Sequence, residues 1–465
     1  MDELILPFQT YAGKVQIETT DEAMTPFGGL VPWAAFTKKT GIFESLAQRS
    51  PVVRTSNNAL SVYDIITSFS LTTLCDGTHF SDVNRLRHDP AIPELFGMKR
   101  IASDDTIRRF FKSIDIKNAR SWIADAALPI RSALPKDFIL DWDSTVITRY
   151  GHQEDAVVGY NPAKRGRPSH HPLLAMVADT RLCLHFSHRP GNAASSTDCL
   201  DAMTDALDYC GKKHRPWLNR GDIGFGHNDI MRWHETTVNA PYYLFKLKIT
   251  NNVKRAFAEV NEDDWQGNAR FGVLQTAGKM LQLPSWDRPR RVVFGRRLQG
   301  VVPAEQSGTF WDTYKHEYEA YITDLPLEQA TSWQIIDLYR KRADCENVFD
   351  ELKNQWGFAG FCSHDAGVTE IAARLLLLTY NLWTLFSRLM RPEKHIEADT
   401  GRRWYLLIAA QLVTSGRQRT MKISVAQQWL KDLLDGYKRV QHWLNSTAPQ
   451  LDYLRHFSLP ETVPI

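Results

Sequence analysis

The sequence predicts a multidomain α/β protein in which a mixed sheet flanked by helices carries a β-rich insertion between two helical end regions. The chain has 465 residues, and at about 150 residues per domain this length suggests about three domains. Short apolar runs typical of strands dominate the middle of the chain, whereas apolar residues recur at helical spacing towards both ends. The 43% hydrophobic and 23% charged residues are typical of a folded protein and exclude wholesale disorder.

The N-terminal region, residues 1–135, is predicted to be helical and to serve in DNA binding or dimerisation. A helix is predicted over residues 60–74, and another is predicted to begin with Ser103 as its N-cap. The second helix carries Arg108 and Arg109 beside apolar residues, which suits a helix-turn-helix-like module. A helical scaffold with a solvated basic face is the alternative interpretation.

The remaining boundaries follow from changes in apolar pattern along the chain. Strands are predicted around residues 138–147, 173–177, 182–186 and 242–249, with a helix over 195–209. Alternating strands and helices of this kind favour a mixed sheet covered by helices. The predicted regions are a first part of the core at 136–250, a β-rich insertion at 251–325, a second, helical part of the core at 326–390 and a helical C-terminal region at 391–465.

Four polar residues near position 345 share a spacing that carries chemistry. On one helix, at about 100° per residue, Tyr339, Arg342, Glu346 and Lys353 fall within a stripe about 60° wide. Such a row is poor core material, because buried charges need partners. It suits a carboxylate that holds a metal ion, flanked by cations that bind a phosphate backbone. An exposed helix with an Arg342–Glu346 pair is the alternative.

This Y-x2-R-x3-E-x6-K spacing resembles the signature of bacterial insertion-sequence transposases of the DDE class. Two further segments agree with that family in order along the chain. Asp143, followed by Ser-Thr at the end of an apolar strand, resembles the family's first aspartate motif. The segment Arg220-Gly-Asp222-Ile-Gly-Phe225 resembles its second motif, R-x-D-x-G-F. The resemblance covers residues 137–385 or so.

The resemblance implies a ribonuclease-H-like catalytic core of the cut-and-paste type. Asp143, Asp222 and Glu346 would then be both the catalytic acids and the metal ligands. Three carboxylates suit two Mg²⁺ ions, and Mn²⁺ is expected to substitute. Asp141 lies two positions before Asp143 on the same strand face, so periodicity alone leaves the choice between them open. The expected reaction is metal-dependent cleavage at transposon ends, bounded by terminal inverted repeats, and joining of the 3′-hydroxyl ends to target DNA.

Double-stranded DNA, from transposon ends and target, is the expected partner, and cationic side chains are the expected contacts. Near the scissile phosphate we expect Tyr339, Arg342 and Lys353 to bind. Trp265, Trp286 and Trp311 lie around an arginine cluster of the insertion, and the sequence leaves open whether they stack on bases or form a small core. The other expected DNA contacts are Arg165 and Arg167 in a basic loop, Arg290, Arg291, Arg296 and Arg297 in the insertion, and Arg108 and Arg109.

Charge and targeting features narrow the classes of protein that the sequence can encode. Lysine plus arginine number 56 against 53 acidic residues, which excludes a histone-like cationic protein but not a nucleic-acid-binding one. No secretory signal, membrane span or cysteine framework is evident, so we expect a bacterial cytoplasmic protein, nucleoid-associated when bound to DNA. A homodimer on paired ends, without an organic cofactor, is expected. A metal nuclease without strand transfer and a non-catalytic DNA-binding derivative of a transposase stay open as alternatives.

Overall fold

The computed structural model of the chain describes residues 6–446 except 57, 269, 271, 304–312 and 427–428. Its N-terminal part begins with strands, whereas the sequence predicts a mainly helical region there. These strands are β1 (Leu6–Thr10), β2 (Gly13–Ile17) and β3 (Ala23–Thr25), of which β1 and β2 form a hairpin. Six helices follow, namely α1 (Leu30–Thr40), α2 (Ile42–Gln48), α3 (Val62–Leu74), α4 (Ala91–Phe96), α5 (Asp104–Lys112) and α6 (Ile116–Ala126).

The predicted start of the basic helix α5 is confirmed in atomic detail. Ser103 is the N-cap, and its hydroxyl oxygen accepts a hydrogen bond from the Thr106 backbone N–H at 3.2 Å. This bond satisfies one of the N–H groups that a helix start leaves without an intrahelical partner. The helix predicted over residues 60–74 is also confirmed as α3.

One eight-stranded mixed sheet forms the centre of the molecule. Its strand order is β12-β13-β14-β11-β10-β4-β8-β9, with β4, β10 and β11 parallel to one another and the other neighbours antiparallel. A small sheet of β5, β7 and β6 lies apart from it. The strands of this part are β4 (Asp137–Ser144), β5 (Ile147–Thr148), β6 (Val157–Val158), β7 (Pro168–His170), β8 (Leu173–Val177), β9 (Cys183–Ser187), β10 (Arg215–Gly221), β11 (Tyr242–Lys246), β12 (Leu274–Leu281), β13 (Arg290–Val302) and β14 (Thr313–Thr323).

The strands of the predicted insertion extend this central sheet. Strand β14 pairs antiparallel with β11, and β13 and β12 then continue the sheet outwards. A free edge at β11 would leave its backbone groups without partners, and β14 supplies them. The stretch 251–325 is thus rich in strands, but among its described residues they form part of the same sheet as the core.

Helices cover the sheet and form the C-terminal part of the chain. The predicted helical C-terminal region also contains a β-hairpin, whose strand β15 pairs with β3 from the other end of the chain. The elements are α7 (Cys199–Cys210), α8 (Asn228–Thr236), α9 (Asn251–Ala258), α10 (Ser332–Arg340), α11 (Ala343–Gln355), α12 (Ala366–Met390), α13 (Ala398–Gly401), α14 (Leu430–Asn445), β15 (Ala410–Ser415) and β16 (Gln418–Ile423). Short 3₁₀ helices lie at Phe80–Arg85, Leu128–Ala133, Ile223–Phe225 and Glu262–Asp264, and a π-helical turn at Arg402–Leu406.

The long helix α12 joins the two helical ends of the chain to the sheet. On α12, Trp383 and Phe386 pack against Trp33 of α1, and Phe36 of α1 packs against Trp443 of α14. These residues belong to one large hydrophobic core that also includes residues of the sheet. The predicted helical ends therefore share a core with the sheet, and these tryptophans pack inside it. None of the helices in the described residues is long and apolar enough to cross a membrane.

Candidate active site

The two predicted aspartates lie at the ends of adjacent strands that run in the same direction. Asp143 is near the end of β4, and Asp222 directly follows β10. Burial raises the pKa of the Asp143 carboxyl group; the Arg342 guanidinium opposes this shift, and the negative charge of Asp222 adds to it. The Asp222 carboxylate is therefore close enough to the Asp143 carboxyl group to raise its pKa.

Close packing around the R-x-D-x-G-F motif explains how Asp222 is held. Its Oδ1 accepts a hydrogen bond from the Gly224 backbone N–H at 2.8 Å, so the side chain caps the short 3₁₀ helix that follows β10. A Cβ atom on Gly224 would lie 2.5 Å from the Cβ of Ser195, closer than two carbon atoms can pack. The glycine of the motif thus allows the Asp222 turn to fit against the segment before α7.

Asp141, the alternative first acid, is occupied by Arg220 from the neighbouring strand. Arg220 Nε and Nη2 donate to the two Asp141 carboxylate oxygens at 2.6 and 2.7 Å. Arg220 Nη1 donates to the Leu338 carbonyl oxygen of α10 at 2.5 Å. The two charged side chains are only 1% and 2% exposed. Asp141 therefore ties β4, β10 and α10 together, and both of its oxygens are already in use.

The predicted helical stripe is divided between two helices. Tyr339 lies on α10, Glu346 and Lys353 lie on α11, and Arg342 lies in the break between them. Lys341 and Arg342 have ψ angles of 1° and −5°, compared with about −42° in an α-helix. The expectation of one uninterrupted helix is therefore wrong.

Arg342 lies on the carboxyl group of Asp143. Its Nη2 is 2.9 Å from Asp143 Oδ2 and also donates to the Trp142 carbonyl oxygen at 2.9 Å. Cys345 Sγ lies 3.8 Å from the same carboxylate oxygen, and Asp143 Oδ1 accepts from the Ser144 N–H at 2.8 Å. Arg342 Nε is buried and finds no acceptor among the described residues. Both oxygens of Asp143 thus have donors, while Arg342 itself is incompletely paired.

Tyr339 and Lys353 lie near the same group of charges. Burial raises the pKa of Tyr339 to about 12, so its hydroxyl group is a hydrogen-bond donor at neutral pH. Burial lowers the pKa of the Lys353 ammonium group, and the charges of Asp143 and Asp350 oppose this effect. Within the described part of the chain, Lys353 makes no hydrogen bond or ion pair. A half-buried ammonium group without a partner suits the binding of an anion.

Glu346 is the predicted acid that the structure does not bring into contact with the others. It is exposed on the first turn of α11, and its carboxylate has no hydrogen-bond or ion-pair partner among the described residues. No three His, Cys, Asp or Glu side chains in the described ranges are grouped so that they could hold a metal ion. Carboxylate donors suit Mg²⁺, but this arrangement does not fit an ion, because Arg342 holds Asp143 and Glu346 faces solvent.

Comparison with known proteins identifies the family. The family model described as Transposase DDE domain group 1 matches residues 9–444. The chain belongs to this family of DDE transposases. A search of curated proteins found no match to the transposase.

The solved structures that match this transposase include complexes of two other transposases. One is the piggyBac transposase synaptic complex with hairpin DNA, at 11% identity and a TM-score of 0.39, covering 96% of this chain and 89% of that chain. The other is the Drosophila P element transposase strand transfer complex, at 15% identity and a TM-score of 0.23, covering 44% and 40%.

Two arginines of β13 that the sequence predicts as DNA contacts of the transposase are paired within the protein. Arg290 is 3% exposed and binds Glu235 at 2.6 and 3.0 Å. Arg291 donates to the carbonyl oxygens of Leu325 and Ala330 at 2.6 and 2.7 Å. Consecutive residues of a strand point to opposite faces, so these two arginines make their internal contacts on the two faces of β13. Their expected role in DNA binding stays a prediction, although these contacts occupy both guanidinium groups.

The nearby tryptophans are largely buried as well. Arg296 lies over the Trp265 ring, 4.2 Å from its centroid, and pairs with Glu262. Trp265 stacks on Phe257, and Trp286 is also buried, so both form part of a local core. Trp311 lies outside the described residues. Of the four insertion arginines predicted to bind DNA, Arg297 is half-buried and forms no ion pair among the residues described.

The remaining predicted DNA contacts are accessible. Arg165 and Arg167 are exposed, and Arg167 lies 5.6 Å from the Tyr150 ring centroid. On α5, Arg108 and Arg109 pair with Asp104 and Asp105 at 2.8 and 2.9 Å. Such exposed i,i+4 pairs are weak and leave the arginines able to exchange partners.

Sequence reasoning missed the role of Arg220 and of Cys345. Arg220 stands in the quoted second motif, but only the register of β4 beside β10 shows that it faces Asp141. A cation two positions before a candidate acid is the signal that could have raised the question. Cys345, beside Glu346 in the stripe, carries no such signal, because a cysteine in a helix is usually a packing residue.

Proposed function

We propose that the chain is an active DNA transposase of a bacterial insertion sequence. It binds the terminal inverted repeats, hydrolyses phosphodiester bonds at the transposon ends and joins the 3′-hydroxyl ends to target DNA. The single observation that carries this proposal is the site at the ends of β4 and β10. There Asp143 and Asp222 lie close to each other, beside Arg342, Lys353 and Tyr339.

A ribonuclease-H-like core is part of the proposal. The order β9-β8-β4-β10-β11 is antiparallel on one side of β4 and parallel on the other. The first acid on the first strand, the second after a later strand and the glutamate on a helix beyond inserted strands is the arrangement that the family resemblance implies. Asp143, Asp222 and Glu346 occupy those positions along this chain.

The cationic side chains give the site its affinity for DNA. We propose that Lys353 and Arg342 neutralise phosphates beside the scissile bond, because Lys353 has no partner within the described structure and Arg342 has an unused N–H group. Tyr339 would donate a hydrogen bond to a phosphate oxygen. Such contacts fix the position of the DNA backbone without reading its sequence.

Metal dependence follows from family membership and from the chemistry of the acids. DDE transposases generally use divalent metal ions. We propose Asp143, Asp222 and Glu346 as the ligands of two Mg²⁺ ions, with Mn²⁺ able to substitute. The described conformation does not present the three together, so ion binding requires Arg342 and Glu346 to move.

Glutamate substitution tests the proposed function. The substrate is a duplex carrying the DNA that borders the reading frame, incubated with Mg²⁺. Glu346→Gln should lower the cleavage rate by about a hundredfold or more, since it removes a charge that the reaction needs. Asp432→Asn, an exposed acid in the first turn of α14, is the control and should cleave at the wild-type rate. Wild-type cleavage by Glu346→Gln would contradict the proposal.

The products of the same reaction separate the two alternatives. Joined products with a target plasmid support a transposase, whereas cutting without joining identifies a nuclease of the same fold. Function that survives substitution of Asp143, Asp222 and Glu346 together identifies a non-catalytic DNA-binding derivative. A homodimer on paired ends is also proposed, and the mass of the protein–DNA complex by light scattering checks it.

A further inference from the structure

Arg342 pairs with the carboxylate that the proposed function assigns to a metal ion. Its Nη2 lies 2.9 Å from Asp143 Oδ2, so the positive charge at this carboxylate comes from the protein itself. The pairing is incomplete, since Nε is buried without an acceptor in the described structure. A buried N–H group without an acceptor raises the free energy of the protein. A second acceptor that binds Arg342 Nε would therefore be stabilising.

The backbone at Lys341 and Arg342 is close to the α-helical conformation that would join α10 and α11. The φ angles of Lys341 and Arg342 are −66° and −73°, which are helical, and only their ψ angles depart from helix values. A change of about 40° in two ψ angles would join α10 and α11 into one helix. On that continuous helix Tyr339, Arg342, Glu346 and Lys353 would share one face, as their spacing requires.

We propose that Arg342 is a latch that keeps metal ions off Asp143 until DNA binds. A DNA phosphate draws the guanidinium away from Asp143, the two helices join, and Glu346 turns onto the face that carries the site. This inference rests on the proposed function, because it takes Asp143 as a metal ligand.

Charge repulsion makes the two occupants of Asp143 exclusive. A guanidinium stays protonated at any physiological pH, so it cannot yield to a cation by losing its own charge. A divalent ion at Asp143 would face this fixed charge at short range in a poorly solvated site, which is strongly unfavourable. A phosphate offers Arg342 two oxygens in the planar geometry that a guanidinium prefers, and it can satisfy the unused Nε. DNA and metal binding are therefore coupled through one side chain.

Mn²⁺ titration followed by electron paramagnetic resonance tests the latch without relying on catalysis. In the DNA-free protein, Arg342→Gln should bind Mn²⁺ about tenfold more tightly than wild type, within the usual 5–150-fold range of couplings between ligands. Arg340→Gln is the matched control, because Arg340 ends α10 and pairs with Glu319 away from the carboxylates. It should leave the Mn²⁺ affinity unchanged. Equal affinities in wild type and Arg342→Gln would overturn the latch.

Addition of DNA completes the thermodynamic cycle. With a duplex carrying the DNA that borders the reading frame, the Mn²⁺ affinity of wild type should rise about tenfold. That rise should be absent in Arg342→Gln, and its persistence would contradict the proposal. If the variant does not fold, hydrogen exchange of wild type decides, since amides of 341–346 should become protected on DNA binding. Unchanged exchange there would also overturn the latch.

Asp143→Asn separates failure of the latch from failure of the proposed function. It should lose Mn²⁺ binding at the site with and without DNA. If it binds Mn²⁺ as wild type does, the proposed metal ligands are wrong. If it loses binding but Arg342→Gln gains none, the metal site stands and only the latch is wrong.

Discussion

Asp141 and Asp143 lie two residues apart on β4, and each pairs with an arginine from another element. The two pairs differ in solvent exposure and in how completely they are hydrogen-bonded. Arg220 and Asp141 are 1% and 2% exposed and share two hydrogen bonds, with a third bond from Arg220 to α10. Arg342 and Asp143 are 9% and 16% exposed, share one short contact and leave Arg342 Nε without a partner. Identical charges thus form a fixed structural clamp in one pair and a replaceable contact in the other.

The largest expected effect comes from breaking the Arg220–Asp141 pair. Asp141→Asn should lower the free energy of unfolding by about 3–5 kcal/mol, because Arg220 is left as a buried charge without a counter-ion. Urea unfolding followed by circular dichroism measures the change. A loss below about 1 kcal/mol would show that the pair is no clamp.

Asp324 is a partly buried carboxyl group that pairs with no arginine among the described residues, and it extends the comparison of the two pairs. Asp324 accepts a hydrogen bond from the Tyr243 backbone N–H at 2.7 Å, and burial raises its pKa from 3.8 to about 7. Between pH 4 and pH 7 the folded protein holds this proton and the unfolded chain does not, so stability falls as pH rises. Asp324→Asn has no carboxyl proton to lose, so its stability should not fall in this way. Relative to wild type, its free energy of unfolding should therefore increase between pH 4 and pH 7, by at most about 4 kcal/mol.

Urea midpoints at several pH values check the Asp324 prediction. Below pH 4 the two proteins should differ little, because wild-type Asp324 is protonated in both states. A wild-type-minus-variant difference that stays constant from pH 4 to pH 8 would contradict the raised pKa.

The Arg342–Asp143 pair should be less sensitive than the more buried pair. Asp143→Asn should lower the free energy of unfolding by about 1–3 kcal/mol, because Arg342 loses its counter-ion but keeps an amide oxygen as acceptor at a partly exposed site. DNA cleavage by this variant should be abolished. A stability loss as large as that of Asp141→Asn would mean that both pairs are structural.

The exposed pairs of α5 give the smallest expected change in stability. Arg109→Ala should alter stability by about 0.5 kcal/mol at most, because its partner Asp105 is solvated. It should weaken DNA binding and reduce the slope of log affinity against log salt concentration by about 1. Arg403→Ala, from another exposed i,i+4 pair, is the control in filter-binding assays. Equal losses in the two variants would remove α5 from the DNA interface.

Local patterns predict much of the fold. Residues 173–177 form β8 with the predicted bounds, and Ser103 caps α5, because alternation and capping depend on neighbours in sequence. The pairing of β3 with β15 could not be predicted, since it joins segments almost 400 residues apart that carry no marked periodicity. The union of β14 with β11 likewise depends on which sheet edge is available.

In the candidate site, too, local sequence patterns predict some features, whereas others depend on tertiary contacts. Motif spacing identifies Asp143 and Asp222, and the strand register places both at the carboxyl ends of two adjacent parallel strands. Helical periodicity also groups the four stripe residues, but it could not show the break at Lys341 and Arg342. At that break Arg342 contacts Asp143, which lies 199 positions away in sequence. The internal hydrogen bonds of Arg290 and Arg291 also depend on tertiary packing that a count of cations cannot show.

The most direct test of the central claim is anomalous scattering from Mn²⁺ in crystals of the protein with DNA that borders the reading frame. The account predicts anomalous peaks bounded by Asp143, Asp222 and Glu346, with Arg342 on a DNA phosphate and residues 332–355 in one helix. Mn²⁺ bound elsewhere, with Arg342 still on Asp143 in the DNA complex, would contradict it.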